Sequence, residues 1–155
     1  RLLEGAALAA AAAVLAAAYF RTVRHRLSVE RRTVMVDAAV KPGGLLLAHL
    51  SDFHYDAGLE ARLEPLLREV LRELESAGPD LILLTGDYVN KDPLPVEAFC
   101  QRFARELPSR ARHGAFATLG NHDGYGDAAG LPPGVASSED FIARALTGAG
   151  LRVLR

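Results

Sequence analysis

Six side chains with the chemistry of metal ligands or proton carriers fall into three short groups. Asp52 and His54 stand in Ser51-Asp52-Phe53-His54, and Asp87 follows Thr85-Gly86. Asn121, His122 and Asp123 are consecutive after Gly120. Carboxylate is a hard oxygen donor and imidazole a borderline nitrogen donor, a mixture that suits Mn, Fe or Zn better than Ca. On an extended exit, residues i and i+2 can point the same way, so Asp52 and His54 can serve one ion. Asn121 adds a neutral amide oxygen. Taken singly, each group also reads as a plain turn, since Gly permits positive φ and Asp or Asn bonds neighbouring backbone.

The three groups share a context, and that context gives them weight. Residues 45–50, 80–85 and 114–119 are apolar runs, each ending where a ligand group begins. Continuous apolar runs of this length fit strands covered on both faces. Between them lie helical patterns. Leu63, Leu66, Leu67, Val70, Leu71 and Leu74 recur at helical spacing, with a start expected near Pro65 and a stop at Ala77-Gly78-Pro79. Phe99, Phe103 and Leu107 mark a second helix over 96–107, and Phe141, Ala145 and Leu146 a third. Thr33-Val34-Met35-Val36 reads as a short leading strand, Lys41-Pro42-Gly43-Gly44 as a turn, and residues 151–154 as a last strand. Strand and helix alternate, which predicts an α/β layered fold with a largely parallel sheet. Ligands in such sheets bind beyond the carboxyl ends of the strands, where all three groups stand.

The ordered set Asp52-x-His54, Gly86-Asp87 and Gly120-Asn121-His122-Asp123 resembles the calcineurin-like metallophosphoesterase superfamily. The resemblance covers roughly residues 45–155, a βαβαβ half of that layered sandwich domain. Thr85-Gly86-Asp87-Tyr88 and the Gly120 motif, following an apolar segment, are similar to its membrane-associated branch, whose members include enzymes of phospholipid or UDP-linked lipid pyrophosphates. The resemblance implies two divalent metal ions (Mn, Fe, Zn or Mg). Asp52 and His54 would bind the first, Asp87 would bridge both, and Asn121 would bind the second. It implies hydrolysis of phosphodiester or pyrophosphate bonds by a bridging hydroxide. His122 would act near the leaving group as general acid or phosphate ligand, with Asp123 orienting. The alternatives are an anchored nucleotide phosphodiesterase and a non-catalytic protein-binding scaffold of the same fold. The family pattern continues with further histidines, including a Gly-His-x-His motif. Here no histidine follows His122, so the chain reads as the first part of a longer protein and is expected to be inactive alone.

Charge and composition narrow the partners. The formal net charge of −1 divides unevenly, with +4 over residues 1–32 and −5 over the rest. The basic residues adjoin an apolar stretch, residues 2–20, which holds ten alanines and one acidic residue, Glu4. As a helix it would span roughly 28 Å, about one hydrocarbon core. A transmembrane or signal-anchor helix over 1–20 with a basic linker over 21–32 is the leading reading, with the following domain on the cytoplasmic side. A cleaved signal and an alanine-rich soluble helix are its rivals. This pattern favours a membrane and a phosphate-ester substrate, and gives no reason to expect nucleic acid. Cys100 is the sole cysteine, which excludes a disulfide framework and a cysteine zinc site. It falls on the core side of the second helix and is expected to be inert. His49 is expected to pack in its strand, with support of the ligand turn as its alternative; Tyr55, Tyr88 and Tyr125, which follow the three groups, are expected to pack, with lining of the site mouth as theirs.

Overall fold

The computed structural model describes residues 27–35, 44–126 and 130–154. The proposed membrane segment, most of the basic linker, and the turn residues 41–43 lie outside them. No helix among the described residues is long and apolar enough to cross a membrane. The chain divides after Arg32 into two units. In the first, residues 27–32 have no regular structure. The second carries the sheet.

Four parallel strands form that sheet in chain order: β1 (Leu47–Leu50), β2 (Leu81–Leu84), β3 (Ala115–Ala117) and β4 (Arg152–Val153). Each crossover is helical: α1 (Glu60–Ala77), α2 (Pro95–Arg102) and α3 (Ser138–Gly148). The α/β parallel architecture is the one the alternation predicts. Register sorts the side chains into two faces. Ala48, Ile82 and Ala115 are paired across the sheet, as are Leu50, Leu84 and Ala117. Ile82, Leu84, Ala115 and Ala117 are buried, with Leu67, Val70, Leu71 and Leu74 of α1, Phe99 of α2 and Ile142 and Leu146 of α3 in the same core. The other face carries Leu47 with Leu81, and His49 with Leu83, Phe116 and Arg152. Those residues are half-buried or exposed, and Arg152 lies over the Phe116 ring at 5.2 Å. The expectation of strands covered on both faces is therefore corrected. Among the described residues the helical layer covers one face, and β1 is an edge strand.

Three boundaries also depart from expectation. Residues 33–35 form no strand, and Val34 and Met35 are largely exposed, so β-branched character without a pairing partner is not enough. The first helix opens five residues before Pro65. The Asp56 side chain accepts the Gly58 N–H and its carbonyl accepts the Leu59 N–H, and that turn starts the helix upstream. Pro65 is then carried inside. The second helix ends at Arg102, where Phe103 takes φ −138°, and a 3-10 turn at Ala104–Glu106 continues the path. Gly78, at φ 59°, closes α1 as the sequence suggested.

Cys100 is buried on α2, and burial, with the Glu97 charge second, pushes its thiol up to about 12. The native protein at pH 8 should leave a thiol reagent unreacted, and unfolding in urea should release one equivalent. Fast labelling of the native protein would contradict this burial. A folded-state thiol pKa above its ordinary 9.0 gives stability present below pH 9 and lost as pH rises toward 12. The buried phenols of Tyr55 and Tyr88 shift the same way. The urea midpoint should therefore fall across that alkaline window.

Candidate metal centre

The loops leaving β1 and β2 run side by side beyond the strand ends. Asp52 N–H donates to the Gly86 carbonyl at 3.2 Å, His54 N–H to Asp87 at 3.0 Å, and Tyr55 N–H to Tyr88 at 2.8 Å. Tyr55 and Val89 then pair as a parallel bridge. Alternate residues of this lacing face inward. Phe53 packs against Phe99 and Phe103, with ring centroids 4.9 and 5.4 Å away, and Tyr55 is fully buried. Asp52 and His54, on either side of Phe53, are left for the open edge. Phe53 thus serves packing.

Asp52, His54 and Asp87 are the non-glycine residues with positive φ among the described residues, at 57°, 43° and 55°. Left-handed backbone is disfavoured for L residues and persists where the surroundings over-determine it. All three are sequence-predicted ligands. The lacing bonds and a close glycine contact hold them there. A Cβ on Gly86 would stand 2.1 Å from the Gly120 nitrogen. A Cβ on Gly120 would stand 2.2 Å from Asp87 Oδ1 and 2.6 Å from its nitrogen. Both glycines are needed for the β2 and β3 loops to touch. Gly120→Ala should cost roughly 3 kcal/mol through overpacking. Gly130→Ala, whose Cβ meets nothing within 4 Å, serves as the control. Equal thermal midpoints for the two variants would show that the contact is not required.

His54, Asp87 and His122 each present a ligand atom, all within 4.8 Å of one another, and could hold a metal ion. His54 Nε2 lies 3.9 Å from Asp87 Oδ2 and 3.8 Å from Asp52 Oδ1. The His54 and His122 rings meet edge to face at 4.7 Å. Asp52 is the most exposed of the group and receives the Ser51 hydroxyl. Asn121 is exposed at the head of the His122–Gly124 turn. Hard oxygen with borderline nitrogen fits a transition-type divalent cation. Two of these side chains are held by a second contact. Asp87 Oδ1 accepts the His122 backbone N–H at 3.0 Å, leaving Oδ2 toward His54. His122 Nδ1 lies 2.9 Å from the Asn90 carbonyl. A carbonyl only accepts, so Nδ1 carries a proton, and the neutral ring has its lone pair on Nε2.

Asp123 does something the sequence did not disclose. It is fully buried and accepts three backbone N–H bonds: Tyr88 at 2.9 Å on Oδ1, and Asp87 at 2.9 Å and Gly120 at 2.8 Å on Oδ2. Burial pushes its carboxyl up, the three donors pull it down, and the Asp87 charge raises it again. It orients through the backbone of the β2 and β3 loops, whereas the His122 ring is held by Asn90. Tyr88 braces the same junction, its hydroxyl donating to the Thr118 carbonyl at 2.8 Å. His49 is exposed rather than packed, with Nε2 2.7 Å from the Thr85 hydroxyl. Asn90 was missed because a backbone carbonyl leaves no mark in a sequence.

A parallel α/β sheet with these motifs at three successive strand ends defines the class. The family model for calcineurin-like phosphoesterases matches residues 45–148, and the chain belongs to that family. Among curated relatives, UDP-2,3-diacylglucosamine pyrophosphatase LpxG of Chlamydia trachomatis is 32% identical over 80 residues, and LpxG of Chlamydia muridarum 30% over 80. Each match covers 52% of this chain and 23% of the relative, so the chain spans about a quarter of their length.

Proposed function

We propose that the complete protein hydrolyses phosphodiester or pyrophosphate bonds with two divalent cations. Asp52 and His54 would hold one and Asn121 the other, with Asp87 as the shared ligand. The observation that carries this reading is the meeting of His54, Asp87 and His122 within 4.8 Å from three different strand ends. Bound there, divalent cations would supply charge against phosphate oxygens and acidify a coordinated water. The chain's own groups do the rest. Asp87 is fixed by the His122 N–H and the lacing bonds, so its carboxylate is oriented before any ligand arrives. His122 Nε2, with Nδ1 committed to Asn90, is the group that can carry a proton to or from a leaving oxygen. A lipid-linked substrate at a membrane fits residues 2–20 as an apolar anchor, and the names of the two relatives, which describe a diacylated, UDP-linked sugar, support it.

The test is hydrolysis of bis-p-nitrophenyl phosphate by the complete protein, metal-free and then with Mn²⁺, Fe²⁺, Zn²⁺ or Mg²⁺. Turnover restored by metal supports the reading. A protein that binds metal and hydrolyses neither this compound nor a lipid-linked pyrophosphate would instead be the scaffold alternative.

A further inference from the structure

We propose that Tyr125 and Lys91 form the seat for a nucleoside carried on the substrate phosphate; this rests on the hydrolase reading above. Tyr125 is the one exposed Phe or Tyr among the described residues, at 52%, and Tyr55 and Tyr88 are buried completely. An aromatic ring half open to water beside a site is surface that a ligand can cover. Its centroid lies 5.2 Å from that of His122, edge to face. The backbone beneath it is fixed. Tyr125 N–H donates to the His122 carbonyl at 3.1 Å. Gly126, at φ 123°, leaves room for nothing more, since a Cβ would stand 2.8 Å from the Lys91 carbonyl and 3.2 Å from Pro93.

Residues 125–126 therefore sit on the same turn whose Asn90 carbonyl holds His122. That turn brings Lys91, exposed and the sole Lys or Arg in residues 51–56, 85–94 and 119–126. The Lys91 carbonyl stands beside Gly126, so a cation and a π face occur on adjoining stretches of chain at an otherwise acidic site. A nucleotide matches both, its phosphate charge meeting Lys91 and its base stacking on Tyr125. An acyl chain could cover the ring but would leave the cation unused.

The experiment compares UDP methyl ester with symmetric dimethyl pyrophosphate as substrates of the complete protein, followed by phosphorus NMR. Tyr125→Leu keeps apolar bulk and removes the ring face. Its KM for the nucleoside compound should rise about tenfold, with kcat nearly constant. The preference for the nucleoside compound, as a ratio of kcat/KM values, should fall by a similar factor. Tyr125→Phe should restore both. A preference unmoved by Tyr125→Leu, in a protein that hydrolyses both compounds, overturns this inference alone. Hydrolysis of neither by the unaltered protein overturns it together with the hydrolase reading.

Discussion

Asp87→Asn is expected to lower turnover of bis-p-nitrophenyl phosphate by the complete protein about a thousandfold, while leaving the fold intact. The separation follows from what Asp87 does. Its Oδ1 accepts the His122 N–H, and an asparagine amide oxygen can do the same. Its φ of 55° is one that asparagine tolerates better than most residues. What the amide cannot supply is negative charge facing His54, and two cations close together need a charged group between them. Bound metal per chain should fall, and the urea midpoint should stay near that of the unaltered protein. Retained activity and metal content would show that Asp87 does not bridge.

Asp123→Asn is expected to act the other way round, on the fold first. Its two carboxylate oxygens satisfy three buried N–H groups. An amide has one oxygen, and its NH₂ would face at least one backbone N–H. Each buried donor left unpaired costs about 1–3 kcal/mol, and the facing donors add repulsion. Relief of the buried charge offsets part of this. A net loss of about 3 kcal/mol is expected, a large share of a typical domain's stability. Equilibrium urea unfolding gives the value, and an unchanged midpoint would mean that the three bonds contribute nothing. Activity should fall too, because the β2 and β3 loops are joined through this carboxylate.

These two aspartates mark how far the sequence could be read. Asp87 was legible because an apolar run must stop where a charged residue begins, and in a parallel sheet that stop lies at the binding edge. The same logic set His54 and His122 at the neighbouring strand ends, and their ligand atoms lie within 4.8 Å of that of Asp87. Asp123 was legible as a candidate, but its partners were not, because two of the three are backbone amides from residues 35 and 36 positions earlier. The positive φ at Asp52 and His54 was equally hidden, since neither residue type announces it as glycine does. Pro65 misled because proline marks the first turn only when no stronger start lies upstream, and Asp56 provides one. Leu47 and Leu83 look like core from the sequence, yet they occupy the sheet face that the described helices leave uncovered.

In the proposed site three strand ends bring Asp52, His54, Asp87 and Asn121 around one pair of cations. Anomalous diffraction from crystals of the complete protein grown with Mn²⁺ measures this directly. Two peaks roughly 3.5–4 Å apart are expected, with the Asp87 carboxylate between them and His54 and Asn121 on opposite sides. A single peak away from Asp87, or none at saturating metal, would show that these side chains hold no such pair.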